Sequence, residues 1–288
     1  MKFWSRWTLI STAFLFLLAI AVTPASAKSK KKKKHEAKMM HHEMVVQHHE
    51  IAYHLRPIVG ANMNGRPGYF YADTASTPSK NQLMGAAHVI FSSPGSELTV
   101  PFGAAYGITN RLQVHASTSF YTGNGLSGLN NLTFGGKYGF PDVAKGLDIA
   151  AGLDFAIGPL SNAGYSTLSF DPYGVATYTF ADGFQLNGQL GLYVPGGYSV
   201  TYNILGTPYT ASYSLPAYLQ FNAGVAYPFD SKLTGIAEIA VNGAGNGDTP
   251  LVVGIRTGKD VQFQALGGLD LAGTVGVVLG GGISLFTE

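Results

Sequence analysis

The stretch LDIAAGLDFAI, residues 147–157, carries the alternation that decides the fold. Its odd-numbered residues are apolar, whereas its even-numbered residues are small or acidic and include Asp148 and Asp154. Successive side chains of a β-strand point to opposite faces, so this stretch has one apolar and one polar face. The same pattern recurs in residues 111–121, 184–194, 219–225 and 261–265. The sequence therefore predicts an all-β protein whose strands separate two environments.

The first 27 residues have the features of a secretory signal peptide. Lys2 and Arg6 precede an apolar run, and Ala-Ser-Ala at 25–27 fits the cleavage site of such a peptide. We expect the mature chain to begin near Lys28 and to reach the cell envelope. The sequence contains no cysteine, which excludes disulfides, thiol catalysis and cysteine-based metal sites.

Residues 28–55 form a low-complexity tail rich in Lys, His and Met. Many of the basic residues lie in the signal peptide and the tail. Although the net charge of the whole chain is +2, the rest of the chain therefore carries more acidic than basic residues. The basic balance therefore gives no reason to expect a nucleic-acid partner. We predict a disordered or partly helical tail in the periplasm, where its lysines are suited to contact lipopolysaccharide.

The histidines of this tail are its candidate metal ligands. In a helix, His41 and His48 share one face, and His42 and His49 share another. Together with neighbouring methionines they suit weak binding of copper, nickel or zinc. A solvated tail without a metal function is the alternative, and no other cofactor is expected.

Residues 56–82 are interrupted by glycine and proline, with one aromatic cluster at 69–71. Two interpretations remain open for this segment: an irregular linker that leads to the first strand, or a plug folded into a barrel lumen.

From residue 83 to residue 288 the pattern predicts twelve strands of about ten residues, an even number and a length typical of outer-membrane barrels. The predicted strands are 83–92, 97–108, 111–121, 131–140, 147–157, 173–180, 184–194, 217–227, 233–242, 251–257, 261–270 and 274–286. Every second connection is short, as at 109–110 and 258–260, whereas most of the others are longer. Short turns at one end and longer loops at the other are typical of a transmembrane antiparallel β-barrel.

The polar faces of these strands predict the lumen wall. A soluble sandwich would carry a charge-rich surface, but only 12% of this chain is charged, and the apolar faces hold no charge at all. The apolar face therefore meets lipid. The predicted lumen-lining residues are Arg111, Gln113, His115, Lys137, Asp148, Asp154, Gln185, Asn187, Gln189, Gln220, Asn222, Glu238, Arg256, Gln262 and Gln264.

Two finer predictions concern particular side chains. Acids and bases on consecutive strands are expected to pair, Glu238 with Arg256 and Asp148 with Lys137. The longest loop, residues 195–216, is uncharged and tyrosine-rich, which suits either a constriction that offers rings to a ligand or a surface loop over the barrel mouth. Its candidate residues are Tyr198, Tyr202, Tyr209 and Tyr213.

The motifs of catalysis are not convincing. His115 and Ser117 share a strand face that points inward, away from the lipid that an outer-membrane lipase must reach. Asp148 and Asp154 are about 20 Å apart along a strand, which is too far for a paired carboxylate mechanism. We therefore predict a protein that is not an enzyme.

Three stretches resemble a known family: PFGAAYGITNRLQV (101–114), AYPFDSKLTGIAEIAVN (226–242) and VVGIRTGKDVQFQALGGLDL (252–271). They are similar to the outer-membrane proteins named as the MetA pathway of phenol degradation. The resemblance implies a barrel that passes small, often apolar or aromatic, compounds across the outer membrane. The residues that carry it are Tyr106, Gly107, Ile108, Thr109, Arg111, Leu112, Tyr227, Leu233, Glu238, Gly254, Gln262, Gln264, Gly282 and Phe286.

The sequence thus predicts a barrel of the bacterial outer membrane that gives passive passage to a small solute and contacts lipid and lipopolysaccharide. Two alternatives remain open. One is a closed structural barrel that anchors an envelope partner, and the other is a metal-handling barrel that uses the histidine-rich tail. The sequence defines neither the solute nor an oligomeric state.

Overall fold

A computed structural model describes most of the chain beyond the predicted tail. The described residues are 60–93, 96–123, 126–158, 167–204, 207–214, 216–243, 249–271 and 276–287. They form strands, turns and irregular segments, and none of their segments is a helix long and apolar enough to cross a membrane.

The described residues contain fifteen strands. They are β1 (Leu83–Ser92), β2 (Glu97–Gly107), β3 (Leu112–Gly123), β4 (Leu126–Leu129), β5 (Leu132–Ala144), β6 (Leu147–Gly158), β7 (Thr167–Thr179), β8 (Gln185–Tyr193), β9 (Tyr198–Ile204), β10 (Thr207–Tyr213), β11 (Tyr218–Pro228), β12 (Leu233–Asn242), β13 (Pro250–Gly258), β14 (Val261–Asp270) and β15 (Gly276–Phe286).

Twelve of these strands close into an antiparallel barrel, which confirms the predicted fold. The first and last strands pair with each other, β1 with β15, and β2 pairs with β3, so every barrel strand has two neighbours. Closure leaves no exposed sheet edge, which is the condition for a sheet to lie in lipid. The short β4 pairs with β3 alone, and β9 and β10 form a separate hairpin between β8 and β11.

The strand predicted at 173–180 begins earlier than expected, because β7 starts at Thr167. The prediction assigned Pro172 to the preceding loop. In the structure Pro172 stays within the strand, opposite Leu153 of β6. The segment 167–172 is thus part of the barrel wall, not of the preceding loop.

The connections divide into two ends of the barrel. The short-turn end carries the turns at 108–111, 145–146, 180–184, 229–232 and 259–260, with the start of β1 and the end of β15. The opposite, long-loop end carries the connections at 93–96, 124–131 (which contains β4), 159–166, 194–217, 243–249 and 271–275. This arrangement follows the predicted alternation of short and longer connections.

Large apolar side chains cover the outside of the barrel. Val89, Val253, Phe263 and Leu279, which lie on four different strands, are each more than half exposed. At the short-turn end, aromatic rings of β7, β11 and the turns that follow these strands form a continuous row of contacts, with centroids 4.7–6.5 Å apart. The row runs through Tyr178, Phe180, Phe184, Tyr227 and Phe229. Such a belt is typical of the interface between the bilayer core and its headgroups.

Candidate functional site: a plugged lumen

The irregular segment that precedes β1 is packed against the inner wall of the barrel. We call residues 60–78 the plug. Most of its residues are buried, and its side chains and backbone contact inward-facing residues of β3, β5, β6, β7, β8, β12, β13 and β14. A segment that touches inward residues on so many strands lies within the lumen. Residues 79–82 return to the short-turn end, where Lys80 N donates to Asn110 Oδ1 at 2.9 Å.

Six backbone hydrogen bonds join residues within 60–74, but they do not form a continuous ladder through the plug. Met63 N donates to Phe70 O at 2.9 Å and Thr74 N to Pro67 O at 2.9 Å, and two isolated bridges link Ala61 to Pro67 and Gly68 to Asp73. Many of its backbone groups therefore need partners from outside the segment, since a buried unpaired amide or carbonyl is costly.

The predicted lumen residues fall into three classes by exposure. The buried ones are Gln113, His115, Lys137, Asp154, Gln185, Asn187, Glu238, Arg256, Gln262 and Gln264. Asp148, Gln189, Gln220 and Asn222 are half-buried. Arg111 is exposed in the turn before β3, so its assignment to the lumen wall was wrong. The predicted strand began one residue too early, because Arg111 still lies in the turn that precedes β3.

A buried charge cluster joins the plug to β6. The Arg66 guanidinium is paired with the carboxylate of Asp154 on β6 and, at 3.0 Å from Nε to Oδ1, with Asp73 of the plug. His115 Nε2 lies 2.7 Å from the other oxygen of Asp154. Burial lowers the pKa of Arg66, but the nearby carboxylates of Asp154 and Asp73 outweigh it and raise the pKa above its ordinary value.

Glu238 of β12 satisfies the backbone donors at the tip of the plug. Its Oε2 accepts hydrogen bonds from the amides of Phe70 and Tyr71 at 2.9 and 3.0 Å, and its Oε1 accepts one from Ala72. Three amides on one carboxylate resemble the way an acidic residue caps the start of a helix. The carboxylate is fully buried and holds the tip in place.

Basic and amide side chains satisfy the plug's carbonyls. Arg256 Nη2 donates to Tyr69 O at 2.9 Å, and Gln264 Nε2 donates to Ala61 O at 2.9 Å. Lys137 Nζ donates to Thr74 O at 2.8 Å, and Asn187 Nδ2 donates to Asp73 O at 2.8 Å. Wall side chains thus supply the hydrogen bonds that a β ladder would otherwise provide.

The predicted ion pairs between neighbouring strands were wrong. Glu238 lies opposite Val252, and Arg256 lies opposite Thr234, so the two charges are at different levels of the wall. Lys137 has its ion pair with Asp73, 3.5 Å from Nζ to Oδ2, whereas Asp148 accepts a hydrogen bond from the backbone of Asp142. Lys137 and Glu238 have their partners in the plug, so the alternation of the wall strands could not reveal them.

Apolar packing holds the other side of the plug. Met63, Tyr69 and Phe70 form one buried cluster with wall residues of β1 and β11–β15. The wall members of this cluster are Ile90, Ala226, Ile236, Val252, Leu266 and Val278. These apolar contacts supplement the polar contacts that Glu238, Arg256 and Gln264 make with the plug from β12, β13 and β14.

Two glycines allow the plug to approach β2 closely. A Cβ at Gly103 would lie 2.2 Å from the carbonyl oxygen of Asn64, and a Cβ at Gly65 would lie 2.2 Å from the backbone of Gly103. Gly65 also has φ +74°, which residues with a side chain rarely adopt. At this point the plug backbone lies directly on the strand.

The lumen is more open toward the long-loop end. Inward-facing residues beyond the plug on β3, β7, β8, β11 and β12 are half-buried rather than buried, and we call the space they line the vestibule. Its wall residues are Ser119, Tyr121, Asp171, Tyr193, Tyr218, Gln220, Ala240 and Asn242.

The tyrosine-rich loop forms an antiparallel hairpin instead of an irregular segment. Tyr198 pairs with Tyr213 and Tyr202 with Tyr209 between β9 and β10. Tyr209 and Tyr213 are exposed. The role of these rings in binding a ligand stays a prediction.

The candidate metal ligands His41, His42, His48 and His49 lie outside the described residues, as does the predicted signal peptide. Among the residues that the structure describes, no group of three or more His, Asp or Glu side chains is placed to hold a metal ion.

Sequence reasoning missed Arg66 and Asp73, the residues that fix the plug. A signal was present, since they are the only two charged residues between 57 and 79 and have opposite signs. It also missed Asp171, because that residue was placed in a loop. Once β7 is extended to Thr167, parity puts Asp171 on the inward face with Tyr173.

Comparisons with known proteins agree with this geometry at the level of the fold. The outer membrane channel COG4313 from Pseudomonas putida F1 is 10% identical; the match covers 76% of this chain and 100% of that chain, with a TM-score of 0.54. The Ralstonia pickettii toluene transporter TbuX is 13% identical, with coverage of 80% and 95% and a TM-score of 0.44.

This chain has the fold of a bacterial outer-membrane barrel. At such low identity the likeness concerns the fold alone. No protein-family model matches the sequence, and no curated protein matches it either. The resemblance to the family of the MetA pathway of phenol degradation therefore stays a prediction.

Proposed function

We propose that this protein is a passive channel of the outer membrane for small solutes, entered through the vestibule and restricted by the plug. The observation that carries the proposal is the change in exposure along the inner wall. Inward residues are buried at the level of the plug, such as His115 and Glu238, but half-buried beyond it, such as Tyr121 and Asn242. A barrel filled throughout by side chains would bury both levels.

The contacts of the plug suit a segment that can shift. They are hydrogen bonds, ion pairs and apolar contacts, and the protein has no cysteine that would fix the segment covalently. Each net hydrogen bond contributes only about 0.5–1.5 kcal/mol. A rearrangement of part of the plug is therefore accessible, whereas extraction of the whole segment would require breaking many contacts at once.

The nature of the wall suggests the class of solute. The inner wall carries apolar residues, such as Ile90, Leu266 and Val278, among many polar ones. An amphipathic passage suits small uncharged compounds with an apolar or aromatic part. The family resemblance implies the same class, and the solved structure with the same fold carries the description of an outer membrane channel.

We place the short-turn end in the periplasm, as is usual for outer-membrane barrels. Ala61 lies near that end, because it packs with Met84 at the start of β1 and Phe286 at the end of β15. The tail at 28–55 would then lie in the periplasm.

A disulfide between the plug and the wall tests the proposal. Ala75 and Ala150 belong to one buried cluster, and the absence of native cysteine makes any disulfide the introduced one. The variant Ala75→Cys/Ala150→Cys is reconstituted in liposomes, and swelling in arabinose is measured before and after reduction with dithiothreitol. Ala75→Cys alone is the control.

We expect the wild type to admit arabinose, the oxidised double variant to admit it more slowly, and reduction to restore the rate. Folding is checked by the difference in gel mobility between heated and unheated protein. A correctly folded wild type that admits no small solute and shows no conductance in planar bilayers would overturn the channel proposal in favour of a closed structural barrel.

A further inference from the structure

A row of four inward-facing side chains crosses neighbouring strands at the floor of the vestibule. Asp154 of β6 lies opposite Asp171 of β7, and Tyr193 of β8 lies opposite Tyr218 of β11. The bridge between Phe170 and Val194 sets the register that places Asp171 beside Tyr193. The row therefore joins two carboxylates to two aromatic rings.

The two rings form a pair next to the Asp171 carboxylate. The ring centroids of Tyr193 and Tyr218 are 5.0 Å apart, with their planes tilted by 31°. Gly191 leaves room for the carboxylate, since a Cβ there would lie 2.7 Å from Asp171 Oδ1. The side chains of Asp171, Tyr193 and Tyr218 are all half-buried, so they face the vestibule rather than the plug core.

Near this row, one carboxylate has no basic side chain paired with it. Arg66 is paired with Asp154, and Lys137 is paired with Asp73. Asp171 has no such cation, and its Oδ1, although buried, accepts no hydrogen bond from the described residues. The carboxylate accepts a hydrogen bond from the backbone amide of Leu192 and interacts with Arg66, Asp154 and Asp73 only through their charges, without an ion-pair contact.

The barrel provides no basic residue above this row. Within residues 83–288, Arg111, Lys145, Lys232 and Lys259 lie in short turns, and Lys137 and Arg256 lie at the level of the plug. The long-loop half carries acids instead, Glu97, Asp171 and Asp270 among them. The vestibule is therefore negative, which attracts cations and disfavours anions.

We propose that Asp171, Tyr193 and Tyr218 form a binding site for a small organic ammonium ion at the floor of the vestibule. An unpaired carboxylate supplies the counter-charge, and the faces of the two rings attract a cation through their quadrupoles. The site deepens the proposed function, on which it rests, by extending the solute class from neutral aromatic compounds to aromatic amines.

Three probes of similar size separate charge from hydrophobicity: benzylammonium, benzyl alcohol and benzoate. Their binding to the full-length protein in detergent is measured by isothermal titration calorimetry. We expect benzylammonium to bind about tenfold more tightly than benzyl alcohol, and benzoate to bind most weakly. Asp171→Asn should abolish the preference for benzylammonium and leave the affinity for benzyl alcohol unchanged.

Asp182→Asn is the matched control, because it removes the same charge from a short turn at the opposite end of the barrel. It should retain the tenfold preference. Equal affinity of the wild type for benzylammonium and benzyl alcohol would overturn the site, whether or not Asp171→Asn folds. A preference that persists in folded Asp171→Asn would overturn the assignment to Asp171.

This binding experiment is independent of passage through the barrel. If the wild type prefers benzylammonium but liposomes show no solute entry, the site stands and the channel proposal fails. If arabinose enters the liposomes but the preference is absent, the channel proposal stands and the ammonium site fails.

Discussion

Arg66 of the plug and Asp154 of β6 form a buried ion pair between residues 88 positions apart in the sequence. Both side chains are about one-tenth exposed or less. Because Arg66 also contacts Asp73, the pair fixes the internal conformation of the plug as well as its attachment to the wall. The barrel and the plug are thus linked by charge as well as by packing.

Replacement of Arg66 by methionine should loosen the plug while preserving much of the side-chain volume. The change removes the guanidinium shared by the buried carboxylates of Asp154 and Asp73, which keep only His115 and Lys137 as basic neighbours. Loss of one partner costs about 3–5 kcal/mol in buried pairs. We expect faster hydrogen–deuterium exchange in residues 60–78 and a higher conductance in planar bilayers.

The control for this variant is Lys80→Met, which removes an exposed cation just outside the plug. Exchange and conductance should stay at wild-type values there. Addition of Asp154→Asn to Arg66→Met should recover part of the protection from hydrogen–deuterium exchange, because it removes the buried negative charge that Arg66 had balanced. An Arg66→Met protein with wild-type exchange throughout the plug would show that the ion pair does not hold it.

Replacement of Glu238 by glutamine should release the tip of the plug. The amide keeps one acceptor oxygen but turns a donor group toward backbone amides that are themselves donors, at Phe70, Tyr71 or Ala72. Hydrogen bonds to a charged acceptor contribute about 1.5–3 kcal/mol, so exchange at the tip should accelerate at least about tenfold. Hydrogen–deuterium exchange read by mass spectrometry is the measurement.

Glu97→Gln serves as the comparison for the tip, since it removes an exposed acid at the long-loop end. Its effect on exchange at residues 70–72 should be small. Equal acceleration in the two variants would mean that Glu238 acts through the overall charge of the lumen rather than through these hydrogen bonds.

A methyl group added to β2 at Gly103 should displace the plug by contact alone. The new Cβ would lie 2.2 Å from Asn64 O and 2.6 Å from Ser117 Cβ of β3, both shorter than any normal contact, so the plug backbone must move away from the wall. The matched variant is Gly188→Ala on β8, where a Cβ meets nothing within 4 Å. We expect a rise in conductance for Gly103→Ala and none for Gly188→Ala, provided that both fold by the gel-mobility criterion.

The sequence was sufficient to predict the barrel because each strand carries its own evidence. Residues 147–157 alternate between apolar and small or acidic side chains regardless of what fills the barrel. The observed β6 spans Leu147–Gly158. Twelve strands follow from twelve such local patterns, together with turns that each extend over a few residues. A boundary was wrong at β7, which was predicted to start at residue 173 but starts at Thr167.

The plug was not equally predictable, because its conformation depends on contacts with distant residues. No periodicity marks residues 60–78, and the Glu238 contacts join residues separated by more than 160 positions. Apart from Arg111, the predicted lumen residues are buried or half-buried in the structure, although they were interpreted from the sequence as the wall of an open passage. Their amides and charges instead bind the backbone of the plug, as Asn187 does with Asp73 O.

The final prediction concerns the apolar outer surface of the barrel. The free-energy cost of placing a charge on this surface should depend on the depth of that charge in the bilayer. Val253 lies at the middle of β13 and is 61% exposed, whereas Val261 starts β14 beside a short turn and is 44% exposed. In transmembrane barrels a lysine on the lipid face costs about 2–4 kcal/mol at the midplane and about 0–1 kcal/mol near the interface. Val253→Lys should therefore destabilise the folded barrel far more than Val261→Lys, although the substitution is chemically identical.

The measurement is the free energy of folding into lipid vesicles, obtained from urea titration of both variants beside the wild type. In detergent micelles the difference between the variants should shrink, because a micelle has a less defined apolar thickness than a bilayer. Equal free-energy costs for the two lysines in vesicles would contradict the placement of this apolar outer surface in lipid. A larger cost for Val261→Lys would instead place the short-turn end, and not the middle of the strands, at the depth of the bilayer core.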